Sequence, residues 1–146
     1  MESPQIMTSK EALGEDLRAS LQGVLEPSAV DSAVQSLVAT STKYSANGSV
    51  ASMIFYLRYR VDVSSGKTFE GQAGGISSPG GGALYGDIYT DDINRLYRDT
   101  VSFQFNATPV YTNLNFFDSH SNFLGSFQSG SVSTVLGTGG GKGSWS

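Results

Sequence analysis

The chain has 146 residues, a formal net charge of −4 at pH 7 and no cysteine. This length suits one domain with an extension, because single domains cluster near about 100 to 150 residues. The acidic balance leaves no basic stripe for phosphate backbones, so we expect no nucleic-acid partner. The lack of cysteine excludes a disulfide framework, a thiolate metal site and a cysteine nucleophile.

Composition divides the chain into a polar arm, residues 1–46, and a folded domain, residues 47–146. The arm holds a single aromatic residue, Tyr44, and only two of the 18 glycines. Four leucines recur in it at helical spacing, namely Leu13, Leu17, Leu21 and Leu25. Helices this short are marginal without packing, so we expect a largely disordered arm with short helices at most. A helix that binds a partner or a membrane surface is the alternative, which the thin apolar face and acidic balance disfavour.

From residue 50 onward, apolar and polar residues alternate, which predicts β-strands. The strongest signal is one long strand over residues 50–63, whose odd-numbered residues form the inner face. Turn residues then separate further expected strands at 67–76, 83–89, 101–107, 110–117, 123–128, 132–136 and 142–145. Between two of them, residues 90–99 predict a short helix, capped by Thr90 or Asp91, that covers one end of the domain.

These elements predict an all-β fold, a compact closed eight-stranded antiparallel β-barrel with one short helix. Closure removes the exposed edges that an open sheet of short strands would have to protect. Six aromatic residues alternate inward in this interpretation: Phe55, Tyr59, Phe103, Phe105, Phe116 and Phe127. An eight-stranded barrel is near the size at which side chains fill the interior or leave room for one small ligand. A filled core and a ligand cavity both remain open at this point.

Three patterns that resemble functional sites have simpler structural explanations. Residues 137–144 look like a phosphate-binding loop, but a P-loop needs Ser or Thr directly after its lysine, and glycine follows Lys142. Asp91 and Asp92 are adjacent carboxylates at a helix start, where capping explains them. His120 is the only histidine and lies in a polar loop without a second ligand. We therefore expect no catalytic residue, no cofactor and no metal site.

The alternation also predicts which apolar residues face solvent. The candidate surface contacts are Val50, Ile54, Tyr56, Tyr111 and Phe117. A register slip of one residue would turn each of them inward. They are the residues through which a barrel without an active site would contact a partner.

Several segments of the domain together resemble the virulence-associated proteins, the Vap family, of pathogenic rhodococci. The segments that carry the resemblance are FEGQAGG at 69–75, GALYG at 82–86, TDDINRLYRDTVSFQFNA at 90–107, NFFD at 115–118 and GGGKGSW at 139–145. The similarity covers nearly all of residues 49–145 and none of the arm. Tyr85 departs from it, since tryptophan is common there, and so does the Thr-Pro-Val sequence at 108–110.

The resemblance implies an eight-stranded barrel that is secreted or surface-associated and that supports bacterial survival inside host macrophages. It supplies no catalytic residues, so we expect a non-enzymatic protein, monomeric, that acts through its barrel surface on an unknown host component. The first residues lack a secretory signal, which by itself fits either a cytoplasmic protein or a mature form. The resemblance implies a mature or engineered form from which the signal has been removed. Two alternatives stay open. One is a carrier of a small apolar ligand or lipid, and the other is a peripheral membrane binder whose 13 carboxylates make it pH-dependent.

Overall fold

The fold was established from a computed structural model, which describes residues 42–74 and 77–146 continuously. Before residue 42 it describes positions 15, 17–19, 21–23, 26–28, 30–31 and 34–35. The expected disorder of the arm concerns mainly positions outside these described residues. Where residues 15–35 are described, most are helical.

Eight antiparallel strands close into a barrel, which confirms the predicted fold class. The strands are β1 Lys43–Ser52, β2 Tyr56–Val63, β3 Thr68–Gly74, β4 Gly80–Tyr89, β5 Ser102–Ala107, β6 Tyr111–Phe117, β7 Phe123–Ser133 and β8 Gly137–Trp145. Around the barrel they follow the order β1-β2-β3-β8-β5-β6-β7-β4, and β4 pairs with β1 to complete the circle. Every strand therefore has two neighbours, and the barrel has no free edge.

One short helix, α1 at Ile93–Asp99, joins β4 to β5 and covers one end of the barrel. Asp92 caps it by accepting a hydrogen bond of 3.0 Å from the backbone N–H of Arg95, which satisfies a free donor of the first turn. Leu96 is fully buried, and the ring of Tyr97 lies 5.2 Å from that of Trp145. The expected helical cover is therefore present, although Asp92 caps it rather than Thr90 or Asp91.

The expected long strand over residues 50–63 is wrong, because the chain reverses at residues 53–55 and forms the β1–β2 hairpin. Val50 pairs with Tyr59, and Ser52 pairs with Leu57. The first strand begins at Lys43, where the sequence pattern gave no strong alternation. The reversal also changes which residues face inward, from even-numbered in β1 to odd-numbered in β2.

The last two strands also differ from their prediction. β7 continues through Gly130, which pairs with both Tyr85 and Tyr111, so the expected break at residues 129–130 is absent. β8 begins at Gly137, inside the glycine run that was interpreted as a turn. The number of strands is eight, as predicted, because two errors cancel. The expected strand at 50–63 is two strands, β1 and β2, whereas the expected strands at 123–128 and 132–136 form the single strand β7.

Aromatic side chains fill the interior. Phe69 makes edge-to-face contacts with Phe103 at 5.3 Å and Phe116 at 4.9 Å between ring centroids, and Tyr59 lies 5.2 Å from Phe105. All five of these rings are buried. Such contacts are favourable beyond the area that they bury. Phe55, which was expected among them, instead lies outside and is 68% exposed, because it belongs to the β1–β2 turn.

Candidate functional site

Exposed apolar side chains gather at the end of the barrel opposite α1. We call this surface the apolar rim. Its members are Met53, Ile54, Phe55, Tyr56, Val110, Val132 and Leu136. They come from the β1–β2 turn with the first residue of β2, the β5–β6 loop, the C-terminal end of β7 and the β7–β8 connection. Single exposed apolar residues are ordinary, but a group of them at one end of a molecule indicates an interaction site.

The β1–β2 turn forms the most prominent part of the rim. Met53 is 76% exposed and Phe55 is 68% exposed, and between them Ile54 has a φ of 78°. A β-branched residue at positive φ is strained and persists only where its surroundings hold it. Hydrogen bonds do so here, since Ser77 N–H donates to the Ile54 carbonyl at 2.9 Å and Ile54 N–H donates to Ser52 Oγ at 3.3 Å. The turn is therefore fixed in the shape that presents its apolar side chains to solvent.

Hydrogen bonds also join this turn to the β7–β8 connection. Ser52 Oγ and Ser77 Oγ lie 2.7 Å apart, and the next residue, Ser78, donates its N–H to the Leu136 carbonyl at 3.2 Å. Leu136 N–H in turn donates to Ser78 Oγ at 2.8 Å. The side chain of Val135 points inward from this connection and is fully buried in the core. Val135 thus closes the barrel at the end where Leu136 faces solvent.

The remaining part of the rim is the contact between the β5–β6 loop and β7. Ser131 N–H donates to the Val110 carbonyl at 3.0 Å, and Ser133 N–H donates to the Pro109 carbonyl at 3.3 Å. These bonds place the exposed side chains of Val110 and Val132 beside the end of β7. Backbone hydrogen bonds therefore hold the rim in place at several points.

Charge is distributed unevenly along the barrel axis. Within residues 42–74 and 77–146, every carboxylate side chain lies in the half of the barrel next to α1. They are Asp62, Glu70, Asp87, Asp91, Asp92, Asp99 and Asp118. The half that carries the apolar rim is therefore free of acidic side chains across the described positions. An apolar surface without negative charge suits either an apolar protein surface or an anionic membrane.

Two cations lie on the outer face of the barrel between the rim and α1, where Lys142 pairs with Ser102 at the start of β5. Arg58 and Lys142 occupy opposite sides of Gln72, which pairs with both of them across β2, β3 and β8. Neither cation forms an ion pair with another residue in the described part of the chain. All three side chains line a surface depression of about 550 Å³ that also includes Glu70 and, beside α1, Val101. These cations are available to an anionic group brought to this side of the barrel.

In the half of the barrel next to α1, the carboxylates of Asp118 and Asp99 have hydrogen-bond and ion-pair partners within the chain. Asp118 accepts hydrogen bonds from the backbone N–H groups of His120 and Asn122, both at 2.9 Å, and lies 3.6 Å from Arg95. Burial raises the pKa of Asp118, but the hydrogen bonds from Asn122 and His120 outweigh it and hold that pKa below its usual value. The side-chain hydrogen bond from Arg98 likewise lowers the pKa of Asp99. These carboxylates fix loops beside α1, so their role is structural.

The predicted surface contacts separate into two groups. Ile54 is 41% exposed and Tyr56 is 40% exposed, and both belong to the apolar rim. Tyr111 is half-buried on the outer face, where its hydroxyl donates to Gln128 Oε1. Val50 and Phe117 are buried, so their expected exposure is wrong.

Each of these two errors has a definite cause. Val50 faces the core because the chain reversal at 53–55 inverts the inward positions between β1 and β2. Phe117 does lie on the outer side of β6, but Leu17, Leu21 and Val30 from the N-terminal segment cover it. No strand pattern could reveal this second effect, since the covering residues are about 90 positions away along the chain.

Sequence reasoning missed Met53 and Phe55, which it placed on an inner face, and also Val110, Val132 and Leu136. A signal was present, because residues 53–57 form an unbroken apolar run where alternation requires polar residues at every second position. Such a run indicates either burial on both sides or a chain reversal. The reversal is what occurs.

The structure also locates the other sequence patterns. The glycine run at 137–141 lies in β8, and no group of three or more potential metal-binding side chains occurs across the described positions. His120 is exposed beside Ser119 in the β6–β7 loop. None of the helices described is both long enough and apolar enough to span a bilayer.

Comparison with known proteins agrees with this architecture. A family profile described as Rhodococcus equi virulence-associated protein matches residues 3–146. The chain is similar to the solved virulence-associated protein VapB from the intracellular pathogen Rhodococcus equi, with 48% identity and a TM-score of 0.68 over 72% of this chain and 96% of that one. It is also similar to VapD from the same pathogen, with 43% identity and a TM-score of 0.69 over 72% of this chain and 97% of that one. A search of curated proteins returned no match. A profile match over almost the whole chain establishes the family, and the chain belongs to the Rhodococcus equi virulence-associated proteins.

Proposed function

We propose that this chain is a non-enzymatic virulence protein, secreted or held at the cell surface, that supports bacterial survival inside host macrophages. It acts as a monomer, and the apolar rim is the surface that contacts a host component. Family membership supports the virulence setting.

The observation that carries this proposal is the contrast between the interior of the barrel and its rim. The interior is occupied by packed aromatic rings, which supports action from outside over carriage of a ligand within. At the rim, a strained and hydrogen-bonded turn holds apolar side chains in water. Strain and exposed apolar area both cost stability, and such costs are concentrated at functional sites.

The test is a rim variant expressed in bacteria that lack the native chain. Combined Met53→Ser, Ile54→Ser and Phe55→Ser substitutions should leave the barrel folded, because these side chains are exposed. We expect bacterial survival in macrophages, counted as viable bacteria, to fall to the level without the chain. Val101→Ser is the matched control, since Val101 is also exposed but lies beside α1. If bacteria that carry the rim variant survive in macrophages as well as those with the native chain, the rim is not the contacting surface.

A second candidate function is peripheral membrane binding, in which the host component is a lipid bilayer. The rim would enter the interface between headgroups and acyl chains, while Arg58 and Lys142 contact lipid phosphates. The position of the carboxylates supports entry of the rim, because those of the described barrel lie in the half next to α1, with Glu70 the one that shares the depression with Arg58 and Lys142. Acidification removes negative charge from the chain and weakens its repulsion from anionic lipid. Binding should therefore increase as pH falls.

Flotation with anionic liposomes distinguishes this candidate from a protein partner. We expect a larger bound fraction at about pH 4.5 than at about pH 7, and loss of binding with the triple serine variant. Replacing Arg58 and Lys142 by glutamine should weaken binding to anionic vesicles and leave binding to neutral ones unchanged. Equal, negligible flotation of the native chain at both pH values excludes the bilayer as the host component.

A further inference from the structure

The N-terminal segment contains two short helical stretches that are linked to each other. Gln22 N–H donates to the Arg18 carbonyl at 3.1 Å, and Val30 N–H donates to the Glu26 carbonyl at 3.0 Å, the i to i−4 pattern of a helix. Between these bonds, Gly23 has a φ of 81°, the left-handed conformation that commonly ends a helix. Arg18 and Asp31 form an ion pair of 2.6 Å across the two stretches.

Apolar side chains of this segment are buried against the outside of the barrel. Leu17 and Leu21 are fully buried and Val30 is 4% exposed, and all three belong to one cluster with Phe117 of β6. The half-buried side chains that complete the cluster are Val34, Tyr89 and Phe123. Phe117 and Phe123 pack edge to face at 6.0 Å between centroids. This cluster is separate from the barrel core, because its barrel members point outward.

Beside Phe117, the outer face carries a row of polar side chains that water does not reach. Asn115 Nδ2 donates to Gln104 Oε1 at 2.7 Å, Ser126 Oγ donates to Asn115 Oδ1 at 2.9 Å, and Gln128 Nε2 donates to Ser126 Oγ at 2.6 Å. All four side chains are buried although they lie on the outside of the sheet. Outward side chains become buried only when something covers the face. This ordered row and Phe117 form one covered surface, which we call the β6–β7 face.

We propose that the segment at residues 15–35 is an intramolecular ligand of the β6–β7 face, a detachable cover that keeps this face from other partners. The leucines at 17 and 21 lie on one side of a helix, as in helices that dock into apolar grooves. This cover is distinct from the apolar rim, which lies at the end of the barrel and is made of other residues.

The release of the cover is proposed to be reversible. The Arg18–Asp31 pair, which joins the two helical stretches to each other, is about half exposed on both sides, and exposed ion pairs contribute little. Among the described positions of the segment, the apolar contact with Phe117 is made by the buried side chains of Leu17, Leu21 and Val30. Attachment to the same chain compensates through a high effective concentration. Release would uncover Phe117, which lies next to the polar row on β6.

Limited digestion of the full chain with trypsin tests the docking, with cleavage after Arg18 followed by mass spectrometry. Phe117→Ser removes the barrel side of the contact, and combined Leu17→Ser and Leu21→Ser removes the segment side. Both should increase the rate of cleavage after Arg18 on the order of ten-fold, because proteolysis follows the population of the opened state. Leu136→Ser is the control, an exposed apolar residue at the rim that should leave the rate unchanged. The segment-side variant alters no barrel residue, so it decides the matter if Phe117→Ser fails to fold.

A labelled peptide of residues 12–35 tests whether the face accepts the segment as a ligand. Its fluorescence anisotropy should show binding to the Leu17→Ser, Leu21→Ser chain, whose face is open, and at least about ten-fold weaker binding to the native chain, whose face is occupied. Equal cleavage after Arg18 in the native and segment-side variant chains would overturn the proposal. So would a peptide that binds neither chain or binds both alike.

Discussion

Gly71→Val is expected to lower the free energy of unfolding by about 3 kcal/mol, a large part of the roughly 5 to 15 kcal/mol that stabilises an ordinary domain. Gly71 lies in the middle of β3 and faces the interior. A Cβ at this position would lie 2.6 Å from Phe103 Cε1 and 2.7 Å from Phe69 Cε2. Both rings are held by further aromatic contacts, so they cannot move aside without disturbing the rest of the core.

Gly74→Val is the matched control in the same strand. Gly74 faces outward, and an added Cβ would meet no atom within 4 Å. Valine favours strands, so this change should alter the free energy of unfolding by no more than about 0.5 kcal/mol. Urea denaturation followed by tryptophan fluorescence measures both variants, because Trp145 is buried next to Phe69. If Gly71→Val unfolds at the same urea concentration as Gly74→Val, the interior has spare room and the carrier hypothesis gains support.

Alternation was a sound guide wherever a strand has one buried and one exposed face. β3 shows this best, since buried and exposed side chains alternate along it from Phe69 to Gly74. The short helix was also predictable, because its inward residue Leu96 follows local rules, although its cap is Asp92 and not the predicted Thr90 or Asp91. These features depend on residues close in sequence, and a single chain displays them directly.

Prediction failed where the deciding contact is distant. Glycine is a poor strand former, so the run at 137–141 was interpreted as a turn. In the barrel, Gly141 lies so close to the carbonyl of Gln72 that a side chain there would collide with it, and Gly139 lies against the ring of Phe105. The glycines are required by neighbours on β3 and β5, which the local sequence does not contain.

Prediction of the candidate site was also wrong in part because the deciding contacts are distant in sequence. Ile54 and Tyr56 were identified as exposed, yet the reversal that exposes Met53 and Phe55 depends on two hydrogen bonds of the Ile54 backbone, whose carbonyl accepts from Ser77 N–H and whose N–H donates to Ser52 Oγ. Phe117 has the outward direction that alternation predicts, and it is buried only because the N-terminal segment packs on it. Direction along a strand was predictable from sequence, but coverage of the outer face was not.

Phe105→Ala is expected to cost about 3 to 5 kcal/mol of stability, the largest effect among these substitutions. Phe105 is fully buried in β5, with its ring 5.2 Å from that of Tyr59. Its removal loses the transfer free energy of the ring and leaves a cavity that β-strands fixed on both sides cannot collapse to fill. The urea midpoint of the purified chain measures this loss directly.

Phe55→Ala makes the same chemical change at the apolar rim and should separate stability from function. Because Phe55 is largely exposed, the free energy of unfolding should change by no more than about 0.5 kcal/mol. Host contact should nevertheless weaken, seen as reduced bacterial survival in macrophages at an unchanged level of folded protein. A Phe55→Ala chain that loses stability as Phe105→Ala does would mean that the ring packs inside the barrel, and the rim would then lack its most prominent side chain. A chain that keeps both stability and survival would show that the rim can be truncated there without consequence, so the working surface would lie elsewhere on the barrel.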